Sequence, residues 1–432
     1  MKICQLSNKD TLHRYKKALV LTFAGPRNTL STGPDNGGFR EDLKAVFNVD
    51  INPGAGMGCV MRGKTYEEHM NIIAKEDLGL DPATCTGLCT AASMENVSIK
   101  TKVYDDFTVT AIVTGGIEHN GGRVGDTALW HERAGAFCQE PPGTINILLH
   151  IDADLDPGAI ARSLVTCTEA KTAAIQELLA PSCSSHGIAT GSGTDGTIII
   201  TNPQSKTRLT NAGKNSKLGE YIGVTVMAAV KEALSLQSGL NPSSQHDALR
   251  RLGRFGVTED ALWDRYQEMY QKARGTEPVE KPQCQTEEGF SRAGGKNVRP
   301  EEELSRAEFT HRLDNLRRES RLVTGASLYA HLLDQLEWGL LTPEEVYPAA
   351  RVILAQTGGE SAPAQEREDG EEGIPAQLHQ NEEGGASAQR QEDEKPAGRK
   401  IRKNPADVVA TLTESYISTL IKIIAKQEEP FA

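Results

Sequence analysis

A basic excess is missing. Lysine and arginine number 47 against 59 aspartates and glutamates, a net charge of -12. Such a chain repels nucleic acid and anionic membrane surfaces, so neither is an expected partner. Cysteines are few and unframed: eight in 432 residues, far from the density of a disulfide-stapled secreted domain. Free thiols and a cytoplasmic location are therefore expected. Cys85 and Cys89 in CTGLC have no second pair at metal-site spacing. No apolar run of 18 residues is long enough to span a bilayer, and MKICQLSNKD lacks the apolar segment of a signal peptide. G-x-S-x-G and H-E-x-x-H are also missing, which removes the common serine-hydrolase and zinc-peptidase signatures. Gly213-Lys214 is followed by Asn215 and has no glycine five positions earlier, so there is no P-loop.

What is present divides near residue 240. Before it, glycine, threonine and β-branched residues dominate. Strands are predicted at 18–25, 107–116, 144–152 and 197–201, each closed by glycine, proline or aspartate. Helices are predicted over 157–179, opened by Asp156 and Pro157, and over 216–236. The expected fold class is α+β, or loosely α/β: a mixed β-sheet core covered by helices. No internal repeat is visible. A small all-helical region then occupies 241–356, with a low-complexity linker at 274–303. A second linker at 357–404 carries, within 359–396, eleven acidic side chains against three basic. Such a segment buries too little to offset its ordering entropy and is expected to be disordered. An amphipathic helix in 405–432 repeats Val408, Leu412, Tyr416, Leu420 and Ile424 every four residues. A stripe of this kind is a core-facing one before it is a partner-binding one.

The motif that raises the functional question is Gly191-Ser192-Gly193-Thr194-Asp195-Gly196, a literal G-x-G-x-x-G. A dinucleotide fingerprint needs a strand before it and a helix after it. Here the strand TIIIT follows, so the match is accidental. A strand–turn–strand hairpin is expected instead. In one reading its backbone N–H groups converge on a polarised carbonyl. In the other, Asp195 merely accepts its own backbone N–H groups.

Five segments, NGGFREDLKAVFN (36–48), VTAIVTGGIEHNGGRVGDTA (109–128), GTINILLHIDADLDPGAIARSLVTCTEAKTAAIQELL (143–179), ATGSGTDGTIII (189–200) and AGKNSKLGEYIG (212–223), together resemble the adenosylcobinamide amidohydrolase family, CbiZ. They occur in the family's order over about residues 18–235. The resemblance implies hydrolysis of the amide between the corrin side chain and the aminopropanol arm of adenosylcobinamide. Adenosylcobyric acid is then released for coenzyme B12 salvage. A corrinoid is the implied substrate; no cofactor or required metal is expected, and the sequence leaves monomer and homo-oligomer open. Two departures stand out: the family usually reads GKH where Asn215 follows Lys214, and it tends to have histidine where Val49 follows Asn48. An asparagine cannot take a proton at neutral pH, so a corrinoid-binding protein without turnover is one alternative. Another is a bifunctional enzyme, because 319–346 weakly resembles the α-ribazole-phosphate phosphatase domain.

Amide hydrolysis requires an activated water or nucleophile, an oxyanion site and a proton for the departing amine. Asp195, Thr194, Lys214 and Glu169 are the candidate catalytic residues. Glu169 lies between Val165 and Ala173 at i−4 and i+4 and is expected to face inward, with Lys171 on another side of the helix. Candidate substrate contacts are Asn36, Gly37, Gly38, Arg40, Glu118, Asn120, Arg123, Asp126, Asn146, Gly191, Gly193, Asn215, Lys217 and Glu220. Arg40 with Asp42, and Lys217 with Glu220, have plain ion pairs as their alternative reading. His119, His131, His150 and His186 lack metal-ligand spacing and read as structural.

Overall fold

The computed structural model describes residues 1–52, 60–128, 143–274, 303–358 and 404–426, with no side-chain description at 273 and 274. The expected linkers fall almost wholly outside these residues, as does His131. The chain divides into two compact units, Met1–Arg254 and Phe255–Ala432.

The first unit is built on two mixed sheets. Sheet A holds, in spatial order, β1 (Lys2–Gln5), β2 (Thr11–Arg14), β3 (Ala18–Thr22), β6 (Ala45–Asp50) and β7 (Cys85–Thr90). Sheet B holds β5 (Gly38–Arg40), β4 (Asn28–Ser31), β14 (Gly196–Thr201), β11 (Thr144–Ile151), β9 (Phe107–Gly116) and β8 (Ser98–Tyr104). Two short pairs lie beside them: β10 (Gly121–Gly122) with β13 (Gly191–Ser192), and β12 (Asp154–Leu155) with β15 (Arg208–Leu209).

Side-chain alternation builds the layers. On β11, Ile145, Ile147, Leu149 and Ile151 pack against α2 (Pro157–Glu177) and α3 (Lys217–Ser238), through Ile160, Cys167, Ile222 and Val226. Leu148 faces the other way, meeting Leu19, Leu21 and Val46 of sheet A. The far side of sheet A, including Val20 and Phe47, is covered by α1 (Tyr66–Ile72) and the π-helical turn Ile73–Asp77, through Met70, Ile73 and Ala74. The order is helix, sheet, sheet, helix. The mixed-sheet α+β expectation is met, with a second sheet added.

The topology repeats. In sheet A the run β2-β3-β6-β7 pairs antiparallel, antiparallel, parallel, with α1 between the last two strands. In sheet B the run β8-β9-β11-β14 pairs in the same senses, with α2 between the last two. Both begin with a two-residue turn after a tyrosine, Tyr15–Ala18 and Tyr104–Phe107. After the third strand the sequence reads Asp50-Ile-Asn-Pro-Gly-Ala in one half and Asp154-Leu-Asp-Pro-Gly-Ala in the other. The similarity is too dilute to stand out in the chain alone.

Helix ends follow their residues. Pro157 opens α2, but Asp156 does not cap it; its carboxylate turns to Arg208. Ser216 accepts from Gly219 N–H at the start of α3, and Gly239 closes it at φ 71°. The unit ends with α4 (Ala248–Leu252), capped by Asp247. The second unit contains α5 (Glu259–Arg274), α6 (Arg306–Leu316), α7 (Ser320–Glu337), α8 (Pro343–Gly358) and α9 (Pro405–Lys426). All five stripe residues of α9 are buried, and Tyr329 of α7 donates to Leu412 O at 2.8 Å. By length and composition α9 alone among the described residues is apolar enough to cross a membrane, yet half of that window is buried. Its apolar character is that of a core helix.

One buried ion pair fastens the first unit's N-terminal strands to sheet B. Arg27 and Asp10, 2% and 0% exposed, meet through Nε–Oδ2 and Nη2–Oδ1 contacts of 2.8 Å each. Asp10 also accepts from Ala24 N–H, and His150 Nε2 of β11 lies 3.2 Å away. Burial pushes the Asp10 carboxyl up, but the contacts from His150 and Arg27 outweigh it and hold it below the usual range. Removing one partner strands the other charge. Arg27→Ala is expected to cost about 3–5 kcal/mol in denaturant unfolding. Because the lowered carboxyl stabilises the fold above its unfolded value and loses this as pH falls through the folded one, the cost should shrink in acid.

Candidate active site

The glycine loop does not form a hairpin. β13 leads in and β14 leads out, but β13 pairs with β10 while β14 joins sheet B between β4 and β11. Asp195 explains the departure. Its carboxylate accepts from Ser192 N–H at 3.1 Å, Ser192 Oγ at 2.6 Å and Ile145 N–H at 3.0 Å, and it pairs with the Lys171 ammonium. Four donors fill the lone-pair positions of a carboxylate. Those donors come from the loop, from β11 and from α2, so the loop is tied to two neighbours instead of to its own outgoing strand. Gly191 is required by close approach: a Cβ there would lie 2.7 Å from Lys171 Nζ and run into the Asp195 carboxylate.

Around this anchor several predicted residues meet. Thr194, exposed, donates to Gly143 O at 2.9 Å, and its Oγ1 is 2.6 Å from Thr144 Oγ1. Asn120 also donates to Gly143 O. Gly193 is the exposed apex of the loop. Glu118 is exposed and accepts from Ile117 N–H. Asp126 is committed elsewhere: burial raises its carboxyl, but Ser182, Ser185 and the Arg123 N–H hold it below the usual range. Asp126 and the Arg123 backbone thus close the 118–126 loop rather than present charge.

Below the loop lies a polar floor between the sheets. Asn146 Nδ2 donates to Asn48 Oδ1 and to Cys89 O, both at 2.8 Å, and Asn48 Nδ2 donates to Thr114 Oγ1 at 2.8 Å. Cys85, on the same strand as Cys89, is buried, and burial pushes its thiol up to about 12; it is inert at neutral pH.

The 36–40 loop is anchored, not open. Asn36, at φ 50°, donates to Pro82 O and Cys85 O, while Arg40 grips Asp42 through two 2.7 Å contacts and donates to Asn36 Oδ1 at 2.9 Å. Gly37 and Gly38 complete its turn. The loop's neighbour Thr32 reaches sheet B, where its Oγ1 accepts from Thr197 N–H at 2.9 Å. Asp35 is the anomaly here: it is 3% exposed, and among the described residues its Oδ2 has no hydrogen-bond partner. Burial and Glu67 push its carboxyl up, against a smaller opposing pull from Arg40.

Four predicted residues lie at the opposite end of sheet B. Lys217 sits over the rings of Tyr104 and Tyr221 and pairs with exposed Glu220 at 2.6 Å. Tyr104 and Phe107 mark the start of β9, whereas Gln237, at the other end of α3, approaches Gly116 at its finish. A helix of 22 residues spans about 33 Å. Lys214, Asn215, Lys217 and Glu220 are therefore remote from Asp195. Glu169 is exposed, as is Val165 at 44%, so the inward expectation reverses. The buried stripe of α2 instead runs Cys167, Ala170, Lys171, Ala174. A lysine on an apolar stripe was the available signal for Lys171. Thr144, Ser192 and Thr114 were missed because hydroxyls within strands carry no pattern of their own. His150 belongs to the Asp10 network, and His119 and His186 are exposed. Among the described residues no three histidine, cysteine, aspartate or glutamate side chains are grouped to hold a metal.

The fold and site define a two-sheet α+β domain whose polar residues converge where β9 ends and β11 and β14 begin. The sequence model of the adenosylcobinamide amidohydrolase family matches residues 3–242. The chain belongs to this family. It is 36% identical over 242 residues to the uncharacterised protein MJ1613 of Methanocaldococcus jannaschii, covering 53% of this chain and 89% of that one. It is 28% identical over 236 residues to an adenosylcobinamide amidohydrolase of Methanosarcina mazei, covering 51% of this chain and 96% of that one. The solved structure of the PH0078 protein from Pyrococcus horikoshii OT3 matches 54% of this chain and 80% of its own at 11% identity, with a TM-score of 0.29. So slight a likeness carries no argument.

Asp35 makes stability depend on pH. Its carboxyl is raised in the fold, so its stabilising contribution is complete below the unfolded value of about 3.9 and fades as pH rises through the folded one. Asp35→Asn, neutral throughout, should match the parent near pH 4 and be the more stable protein at pH 8. Parallel stability curves from pH 4 to 8 would show that the carboxyl is not isolated.

Proposed function

We propose that the chain hydrolyses the amide joining the aminopropanol arm to the corrin side chain of adenosylcobinamide. Water oxygen bonds to the amide carbon, the C–N bond breaks, and the amine leaves with a proton originating from that water. The products are adenosylcobyric acid and aminopropanol. The observation that carries the reading is the family match across 3–242, which contains every residue of the glycine-loop cluster.

The geometry suggests a division of labour. With its acceptor positions filled, Asp195 anchors the loop and fixes Lys171 rather than serving as the base. The exposed Thr194 hydroxyl, set against Thr144 and Gly143 O, is the group placed to meet the amide or its attacking water. The Lys171 ammonium, almost buried beside Gly191, supplies positive charge near the loop, where a developing oxyanion would gain from it. No specific observation favours the binding-only alternative. Its motive was Asn215, which is exposed and lies at the end of sheet B away from this cluster. The family match stops at residue 242.

The test is to incubate purified full-length protein with adenosylcobinamide and follow aminopropanol and adenosylcobyric acid by mass spectrometry. Thr194→Val and Lys171→Met should each lower turnover roughly 100-fold or more, the former with an unchanged melting temperature. Asn215→His should leave turnover within about twofold, since residues remote from the chemistry act weakly. Intact corrinoid with the parent protein would sink the proposal. A large gain from Asn215→His would show that the site is at the other end of the sheet.

A further inference from the structure

We propose that Glu118 is the general base of the reaction: its carboxylate takes a proton from the attacking water and passes it to the departing nitrogen. This rests on the amidohydrolase reading above, which leaves that duty unassigned. Asp195 has its acceptor positions filled, and Asp126 is held by Ser182, Ser185 and the Arg123 N–H.

Glu118 is placed by the turn that ends β9. Gly121 N–H donates to Ile117 O at 2.9 Å and closes the turn, while Cys183 N–H donates to Gly121 O at 2.7 Å. Asn120 ties the same turn to Gly143 O. The backbone beneath Glu118 is thus fastened on both sides, and the side chain stays exposed. Among the described residues its carboxylate has one hydrogen-bond partner, the Ile117 N–H on Oε2 at 3.2 Å. A carboxylate has about four acceptor positions, so Oε1 is left for a water.

The strand ladder sets this carboxylate against the threonine pair. Gly116 lies opposite Thr144, whose Oγ1 is 2.6 Å from Thr194 Oγ1. A Cβ on Gly116 would lie 3.8 Å from Glu118 Oε2. Opposed positions of an antiparallel pair carry their Cβ atoms about 5 Å apart on one face. Carboxylate and Thr194 hydroxyl therefore stand along one row across the strand ends, on the order of 10 Å apart. Gln237, whose Cγ would be 3.6 Å from the same point, covers the glycine. The reactants meet above the row, where Glu118, Gly193 and Thr194 are all exposed. A gap of this order admits a water and the amide between base and hydroxyl. As Oε1 removes one proton, the water oxygen bonds to the amide carbon. The carboxyl group returns that proton to the nitrogen as the C–N bond breaks. The water's second proton follows when the new carboxylic acid ionises. The amine then leaves as an ammonium ion, and Glu118 is again a carboxylate.

The test uses full-length protein with Glu118→Gln and Glu118→Ala. An exposed side chain with one contact is dispensable to the fold, so both variants should melt with the parent. Glu118→Gln should lower kcat at least about 100-fold, while its Kd for adenosylcobinamide, read by visible absorbance, stays within about threefold of the parent's. Added sodium formate should restore turnover of Glu118→Ala by about tenfold or more, because a small carboxylate can occupy the place left by the side chain. Glu118→Gln, whose amide still fills that place, should not respond. A substrate contact or a structural residue would show no such rescue. Turnover of Glu118→Gln within about fivefold of the parent, loss of corrinoid binding in place of kcat, or no response of Glu118→Ala to formate would each overturn the inference and leave the amidohydrolase reading standing. A parent protein that returns adenosylcobinamide intact would bring down that reading and this one with it.

Discussion

The Lys171–Asp195 pair is the contact on which the candidate site depends. A carboxylate taken out of water is costly unless its oxygens are matched. Here one cation, two backbone N–H groups and a hydroxyl match them. The partners come from three separate stretches of chain, so satisfying one charge also fixes how α2, β11 and the glycine loop meet. The loop could not pair β13 with β14 without giving up the Ile145 contact. Its unusual path is therefore a consequence of where the charge is satisfied.

The inter-sheet layer shows the same economy. At one end it is closed by Asp10, Arg27 and His150, at the other by Asn48, Asn146 and Thr114, with Leu148, Ile112, Ile198 and Ile200 between. Apolar packing supplies most of the adhesion. The polar groups set register, because a slip of one residue on β11 would turn Asn146 and His150 toward the helices. Such a slip would take the His150 contact from Asp10 and the Asn146 contact from Asn48.

Much of the fold was legible. β-Branched runs closed by glycine or aspartate located β9, β11 and β14 almost to the residue, and proline and serine at helix starts located α2 and α3. What could not be read was which ends of these elements meet. AGKNSKLGE stands near the glycine loop in sequence, but α3 carries its first turn to the start of β9 and only its last turn to the finish. A motif list has no knowledge of direction along a helix. The error over Glu169 is of another kind: two positions on one helix were weighed by neighbours at i−4 and i+4, and the neighbour chosen, Val165, faces solvent. Cross-sheet partners such as Asn48 and Asn146 lie in different strands with much chain between them, and nothing local announces them.

The two repeated halves are not independent. After β3 the first half sends β4 and β5 out of its own sheet and into the second, where Asn28 pairs with Thr201, 173 positions away. The β14 edge of the second sheet is therefore completed only by a hairpin borrowed from the first half, and the first half cannot satisfy that hairpin alone. Contacts of such long sequence separation are slow to form, since loop closure must precede any gain. During synthesis from the N-terminus, β4 and β5 must wait for β14 before they have a lasting partner. Cutting away either half would therefore strip β14 of β4, or β4 of β14.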